Sequence, residues 1–232
     1  MSDTTQLSGG PSGQFTERTV EVDGAQIRYR EAGCGKPLIV LDQSAALAES
    51  RLYNSLAQHF RVIAFHKLAS DVLQKGPASD RELAQKFIRA ANALNLQNYG
   101  LIGASDAAQV AIWQAIYSPE CVDALVLISP PALPHEGQAG DSAAGNASEL
   151  VCPLEDLKAP TLVLLGTEDR TVLPETGRTY AQRIPKCYYV LVYAAGHALA
   201  EECPEQLSGI AQDFLERRES FIVNRSSTLL TA

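Results

Sequence analysis

The chain has 232 residues, 46% hydrophobic and 20% charged, with a formal net charge of −8. This length and apolar content are enough for one sizeable domain with a hydrophobic core. The excess of 27 acidic over 19 basic residues, without a large basic cluster, predicts no nucleic-acid partner and no binding to anionic membranes.

The N-terminus and the lengths of the apolar runs predict where in the cell the protein is located. The first residues show neither the basic start nor the apolar stretch of a secretory signal, and no apolar run is long enough to span a bilayer. Five Cys residues are scattered along the chain without a C-x-x-C pair. We therefore expect a cytoplasmic protein with free thiols and no metal site.

The N-terminal part of the chain predicts a tail followed by a hairpin. Residues 1–17 are rich in Ser, Thr, Gly, Pro and Gln, which predicts a disordered tail, with the folded domain spanning residues 18–216. Apolar and polar residues then alternate on both sides of Asp23-Gly24, a dipeptide typical of a tight β-turn. An antiparallel β-hairpin is expected to open the domain.

The remainder of the domain shows an alternation of two patterns. Short, nearly continuous apolar runs are typical of strands buried on both faces, and they occur at residues 38–41, 62–65, 99–102, 125–128, 162–165 and 189–193. Segments of helical period lie at residues 52–57, 83–94, 110–115 and 206–215. This order predicts an α/β protein with a mainly parallel sheet and helices on both faces.

Two segments interrupt or follow that pattern. Residues 130–160 hold five Pro and several Gly, Ala and Ser, which predicts a long loop or a minimal flap instead of a second domain. Residues 217–232 are interpreted as a C-terminal tail without a catalytic role. Its apolar residues at 221–223 either pack locally or contact a neighbouring molecule.

The segment around Ser105 is the most informative one for chemistry. A buried strand runs through Gly103-Ala104-Ser105 directly into a helix, so that Ser105 occupies a strained turn which only small neighbours tolerate. Its hydroxyl would lie at the carboxyl edge of the sheet beside a helix N-terminus, where negative charge is favoured. Ser105 is therefore a candidate nucleophile, although the same pattern also fits a simple helix N-cap.

A serine nucleophile needs a base and a group that orients the base. Asp169 follows a buried strand in a Gly-led turn, with Glu168 as the neighbouring alternative, and His197 follows the next strand between small residues. Each could instead have a structural role, as a turn cap or a packing residue. Their occurrence after successive strands, in the order Ser, Asp, His, favours the catalytic interpretation.

These motifs make the sequence resemble the α/β-hydrolase-fold serine hydrolases, in particular the small esterases and lactonases. The resemblance covers residues 18–215 and rests on three segments, Gly103-Ala104-Ser105-Asp106-Ala107, Gly166-Thr167-Glu168-Asp169 and Ala195-Gly196-His197-Ala198 with the following Glu202-Cys203-Pro204-Glu205. It implies an eight-stranded sheet, a cap reduced to a loop, and Ser105, Asp169 and His197 as nucleophile, acid and base.

The same resemblance implies an oxyanion hole formed by backbone N–H groups. The residue after the nucleophile, Asp106, would supply one, and Ser44 the other. Where the family usually has His-Gly-x-Pro, this chain has Asp42-Gln43-Ser44-Ala45, a loop weakly similar to that of enol-lactonases. Because Asp106 would oppose an oxyanion if it pointed inward, we expect its carboxylate to point away.

We expect the pocket wall to include Gln43, Ala104 and Val172. The resulting hypothesis is a hydrolase of small carboxylic esters, lactones or thioesters that works through an acyl-enzyme and needs no cofactor. Two alternatives remain open, a weakly active or silent relative that binds a small ligand, and a carbon–carbon bond hydrolase or perhydrolase with the same three side chains. The expected partner is a small-molecule ester or lactone, and the sequence leaves homodimerisation open.

Overall fold

The computed structural model describes residues 14–42, 49–65, 79–133, 152–221 and 229–230. It opens with the expected hairpin of strands β1 (Thr16–Val22) and β2 (Ala25–Ala32), which begins two residues ahead of the predicted domain start. Asp23 and Gly24 both have positive φ, 52° and 76°, as a two-residue hairpin turn with the right-handed strand twist requires.

The sheet confirms the predicted α/β architecture. Strands β3 to β8 span Pro37–Leu41, Arg61–Phe65, Tyr99–Ala104, Val122–Ile128, Thr161–Gly166 and Cys187–Val192, and β9 spans Leu229–Leu230. The order across the sheet is β1-β2-β4-β3-β5-β6-β7-β8-β9. Strands β3 to β8 pair in parallel, whereas β1, β2 and β9 pair antiparallel. The ninth strand was not expected, because its segment carries no strand pattern beyond two leucines.

The described residues form six α-helices that connect or close the sheet, and the sequence pattern missed one of the longer ones. Helices α1 to α6 span Arg51–Leu56, Asp80–Ala93, Ala107–Tyr117, Pro174–Arg183, Leu199–Glu202 and Pro204–Arg217. Helix α4 was not predicted. It buries only Gly177 and Tyr180, so it lacks the apolar stripe by which an amphipathic helix is recognised.

The core is divided into two layers by the sheet, because successive strand residues point to opposite faces. Ile39 and Leu41 of β3 pack with α2 and α3, while Leu38 and Val40 pack on the opposite face with α1 and α6. All four of these side chains are at most 2% exposed. The expected helices on both faces are therefore present, and they account for the nearly continuous apolar strands.

Most of the predicted minimal flap lies outside the described residues, which resume at Cys152 with a short 3-10 helix at Leu154–Asp156. No helix within the described ranges is long and apolar enough to cross a membrane. The five cysteines are free thiols, as expected. Burial raises the pKa of Cys152 and of Cys187 to about 12, which makes both thiols poor nucleophiles.

The chain after α6 packs locally at Phe221. This ring is 6% exposed, and its centroid lies 5.4 Å from those of Tyr188 and Phe214, with both ring pairs nearly perpendicular. Edge-to-face packing of this kind adds to the burial of apolar area. Of the two roles considered for residues 221–223, local packing holds for Phe221, and residues 222 and 223 lie outside the described part.

We predict that Phe221→Ala lowers the free energy of unfolding by about 3 kcal/mol, because it removes a buried ring from a three-ring cluster. Urea denaturation measures this change. Tyr193→Ala is the matched control, since Tyr193 is 60% exposed and its removal is expected to cost less than about 0.5 kcal/mol. Equal losses in the two variants would contradict the local packing of the tail.

Candidate active site

Ser105 lies in the sharp turn between β5 and α3. Strand β5 ends at Ala104 and α3 begins at Ala107, and Ser105 has a φ of 50°, a left-handed conformation that is rare for a residue with a side chain. The turn is held by its backbone, since Ser105 N–H donates to Ile128 C=O at 2.9 Å and Ser105 C=O accepts from Ala108 N–H at 2.9 Å. Its side chain is exposed at the carboxyl edge of the sheet.

Gly103 makes this turn sterically feasible. A Cβ on Gly103 would lie 2.6 Å from Ala111 Cβ and 2.8 Å from Ala108 Cα, well inside normal contact distance. The helix therefore packs directly on the strand only because position 103 has no side chain and positions 108 and 111 have small ones. This close packing brings the helix N-terminus beside the Ser105 hydroxyl.

Asp169 follows β7 in a turn that occupies both of its carboxylate oxygens. Oδ1 accepts from Thr171 N–H and Val172 N–H, each at 2.8 Å, and Oδ2 lies 2.8 Å from His197 Nδ1. The side chain of Asp169 is fully buried, whereas Glu168 is exposed and makes no contact with His197 among the described residues. The structure therefore brings Asp169, and not Glu168, to the imidazole.

His197 joins the acid and the serine through its two ring nitrogens. Nδ1 faces Asp169 Oδ2, and Nε2 lies 3.5 Å from Ser105 Oγ, a distance at the outer limit of a hydrogen bond. Such serine–histidine contacts are often long without substrate and shorten during the reaction. An anion that accepts from Nδ1–H leaves Nε2 without a proton, so Nε2 can accept one from the serine.

The loop that carries His197 lies directly against the end of β7. A Cβ on Gly166 would come within 2.1 Å of Ala195 C=O and 2.4 Å of Gly196 C=O. In the same region Ala194 N–H donates to Thr167 Oγ1 at 2.9 Å. The acid turn and the histidine loop are thus packed as one unit, and the missing side chain at Gly166 permits it.

A cavity of about 410 Å³ opens over Ser105 and His197. Its apolar lining includes Ala104, Ile128 and Leu199. Ionisable side chains also line it, and among the described residues these are His197, Asp42, Glu49, Arg51 and Glu201. The cavity is large enough for a small organic substrate with the serine hydroxyl in its wall.

Asp42 directly follows β3 and is the last described residue before the predicted oxyanion loop. Its Oδ2 accepts from Tyr53 Oη at 2.7 Å, and Tyr53 is fully buried. Burial, together with the neighbouring Asp42 carboxylate, raises the pKa of Tyr53 well above its ordinary value. Tyr53 therefore stays a neutral donor to Asp42 at the cavity wall.

The residues predicted for the pocket wall and the oxyanion hole do not all lie at the cavity. Ala104 lines the cavity as expected, whereas Val172 does not occur among the described lining residues. Val172 is buried with Leu165 and Leu191, and its N–H donates to Asp169 Oδ1, which places it in the acid turn. Asp106 has an exposed side chain outside the lining, and its N–H donates to no other described residue. Ser44 and Gln43 lie outside the described residues.

Sequence reasoning missed the residues that support the histidine loop. Ser129 Oγ donates to His197 C=O at 2.9 Å, and Glu202 accepts from Gly196 N–H at 2.6 Å and Ala198 N–H at 3.2 Å. Ser129 directly follows β6, so the rule that selects polar residues after buried strands could have found it. For Glu202 the only signal was its place in the segment after His197.

The described residues contain no group of three or more His, Cys, Asp or Glu side chains that could hold a metal ion. The site itself combines a hydroxyl, an imidazole oriented by a buried carboxylate, and a helix N-terminus.

Comparisons with known proteins show which enzymes the chain is similar to. No protein-family model matches the chain. A 2-hydroxy-6-oxo-6-(2'-aminophenyl)hexa-2,4-dienoic acid hydrolase from Metapseudomonas resinovorans is 23% identical, with 94% of this chain and 97% of that enzyme covered.

Solved structures that are similar to this chain are also those of hydrolases. A serine hydrolase involved in carbazole degradation has a TM-score of 0.73 at 22% identity, with 88% of this chain and all of that chain covered. A carboxylesterase from Bacillus subtilis has a TM-score of 0.70 at 17% identity, covering 87% and 92%. An N-acyl homoserine lactone degrading enzyme has a TM-score of 0.68 at 18% identity, with 85% of this chain and 100% of that chain covered. The chain has the α/β-hydrolase fold, and these similar proteins are hydrolases.

We predict that a fluorophosphonate probe labels Ser105 and that Asp169→Asn slows the labelling by roughly 10³- to 10⁴-fold. An Asn at this position still accepts from the N–H groups of Thr171 and Val172, but it presents an amide donor to His197 and favours the wrong tautomer. Labelling rates followed by intact-protein mass spectrometry measure the effect.

Glu168→Gln is the matched control, one residue earlier in the same turn. We expect it to leave the labelling rate within about twofold, because Glu168 is exposed. If instead Glu168→Gln slowed labelling and Asp169→Asn did not, the assignment of the acid would be wrong.

Proposed function

We propose that this protein is a serine hydrolase that cleaves small carboxylic esters, lactones or thioesters through an acyl-enzyme on Ser105. The observation that carries the proposal is the continuous contact from Ser105 Oγ through His197 to the buried Asp169, with distances of 3.5 Å and 2.8 Å, at the wall of a cavity. The hydrolase relatives support it at the level of the reaction class.

The reaction begins with attack of Ser105 Oγ on the substrate carbonyl. His197 Nε2 takes the hydroxyl proton as the oxygen–carbon bond forms, and Asp169 stabilises the resulting imidazolium. The tetrahedral oxyanion is stabilised by the N–H of Asp106 at the N-terminus of α3, with Ser44 N–H proposed as the second donor. His197 then protonates the leaving alcohol or thiol, which leaves the acyl group on Ser105.

Hydrolysis of the acyl-enzyme repeats these steps with water. His197 deprotonates a water molecule that attacks the acyl carbon, and collapse of the second tetrahedral intermediate returns the proton to Ser105 and releases the acid. The side chains and backbone amides supply base, nucleophile and oxyanion stabilisation. The proposal therefore needs no cofactor.

We predict that the protein hydrolyses short p-nitrophenyl esters and that Ser105→Ala lowers kcat/KM at least about 10³-fold. Release of p-nitrophenol measures the rate. Ser220→Ala is the control, since Ser220 is exposed in the short 3-10 helix Arg218–Ser220, away from the cavity, and should leave the rate unchanged. Equal turnover in wild type and Ser105→Ala would favour the alternative, a ligand-binding relative without catalysis.

Carbon–carbon bond hydrolysis is the second candidate, because the relative from Metapseudomonas resinovorans is named for cleavage of a dienoic acid. The charges of the cavity distinguish the two candidates. A dienoic acid carries a carboxylate at neutral pH, whereas a simple ester is neutral. The described lining has three carboxylates, Asp42, Glu49 and Glu201.

The positive charge in that lining is itself paired. Arg51 is the one Lys or Arg among the described lining residues, and it forms an ion pair with Glu205. Residues 43–48, which join Asp42 to Glu49 along the chain, contain no charged residue. This surplus of negative charge in the described lining favours neutral esters over carboxylate-bearing substrates by Coulomb repulsion.

We therefore predict that ethyl valerate is hydrolysed with a kcat/KM about 10-fold higher than monoethyl glutarate, which has a carboxylate in place of the terminal methyl. Titration of released acid at constant pH measures both rates. The difference should shrink in 0.5 M salt, which screens exposed charges, and in Asp42→Asn. Glu120→Gln, at the opposite edge of the sheet, is the charge-matched control, and a preference for the anionic ester would favour the dienoic acid type of substrate.

A further inference from the structure

The side chain of Glu202 binds the main chain of the loop that carries His197. Its Oε2 accepts from Gly196 N–H at 2.6 Å and its Oε1 accepts from Ala198 N–H at 3.2 Å, so one carboxylate binds the amides on both sides of His197. We propose that Glu202 is a positioning residue that sets the distance between His197 Nε2 and Ser105 Oγ. This inference rests on the proposed function, because it assumes His197 to be the base.

Glu202 acts without touching the reacting groups. It makes no contact with the side chains of Ser105, His197 or Asp169 among the described residues, and it is absent from the described lining of the cavity, unlike the neighbouring Glu201. It reaches back from the last position of the one-turn helix α5 to the loop that precedes it. Its effect on chemistry therefore passes through the backbone of residues 196–198.

The opposite side of the same loop is held by different elements. Ser129, after β6, donates its hydroxyl hydrogen to His197 C=O at 2.9 Å, and Glu168 N–H donates to Ala195 C=O at 2.9 Å. The loop is thus fixed to the sheet on one side by β6 and β7. Among the described residues, Glu202 is the side chain that accepts from Gly196 N–H and Ala198 N–H, while backbone N–H groups of α5 donate to Ala198 C=O.

Backbone strain around the loop indicates that these contacts are needed to hold its conformation. Ala194 and Ser129 have φ values of 55° and 45°, left-handed conformations that are unfavourable for both residue types. Such conformations persist only where the surroundings overdetermine them. Loss of the Glu202 contacts would let the strained loop relax and carry the imidazole away from Ser105.

The chemistry of the carboxylate explains why Glu is needed at this position. Both oxygens accept, and hydrogen bonds from N–H groups to a charged acceptor are stronger than neutral ones. A Gln side chain has only one accepting oxygen. Its NH₂ group would face one of the two backbone N–H groups, and two donors cannot form a hydrogen bond with each other. Gly196 also leaves room for this contact, since a Cβ there would lie 2.9 Å from Glu202 Oε1.

The test compares Glu202→Gln and Glu202→Ala with wild type and with the control Glu216→Gln, an exposed position at the end of α6. We expect kcat for p-nitrophenyl butyrate to fall about 10- to 100-fold in the Glu202 variants, with KM within about twofold, because misplacement of a catalytic group lowers the rate of the chemical step. The melting temperature should change little. The control should retain wild-type kcat and KM.

Two NMR measurements test the contacts without turnover. Hydrogen exchange of the Gly196 and Ala198 amides should accelerate in both Glu202 variants, and the low-field Nδ1 proton signal of His197 should shift or broaden. If these signals stay as in wild type, or if kcat is unchanged although the amides exchange faster, the inference is wrong. A fall in kcat that the loss of folded protein fully explains would also overturn it.

The failure of the proposed function is distinguishable from these outcomes. If the proposed function is wrong, the wild-type protein shows no Ser105-dependent turnover, and the kcat and KM measurements then test the proposed function alone. The two NMR readouts still decide whether Glu202 positions His197, since changed signals support the positioning and unchanged signals exclude it.

Discussion

The common direction of the buried parallel strands is the constraint on which the site depends. Strands covered on both faces satisfy their backbone groups by pairing with neighbours, and the parallel pairing of β5, β6, β7 and β8 brings their carboxyl ends to one edge. Ser105, Asp169 and His197 each follow such an end, although they are far apart in the chain. The two apolar layers that cover the sheet therefore also determine where polar chemistry can occur.

Local strain at that edge is the consequence of placing functional groups there. Ser105 and Ser129 directly follow β5 and β6, Ala194 follows β8 by two residues, and all three have left-handed backbone conformations. Gly103 and Gly166 permit the close packing that this geometry needs. The unfavourable conformations are stabilised by the rigid sheet below them and by side-chain contacts to the loops above, of which those of Ser129 and Glu202 to the His197 loop are examples.

Two carboxylates near the site have different environments, and the difference assigns them different roles. Asp169 is buried, accepts two backbone N–H groups and faces His197 Nδ1, so its negative charge is directed at the imidazole. Asp42 lies in the cavity wall and accepts from the buried Tyr53, so its carboxylate adds a negative group to the lining. In the proposed mechanism the first carboxylate stabilises the imidazolium that forms during the reaction, whereas the second is proposed to influence which substrates bind.

The sequence by itself was sufficient for the six buried strands, the opening hairpin, the helices with an apolar stripe and the three candidate catalytic residues. These features are encoded locally, since burial on both faces produces apolar runs and a strained turn requires small neighbours around Ser105. Only the tertiary structure showed that Asp169, and not its alternative Glu168, faces His197, placed Val172 in the acid turn, revealed helix α4 and located Tyr53, Ser129 and Glu202. Such features depend on contacts between segments far apart in the chain or on the direction of a side chain within a turn, and composition and periodicity contain no information about either.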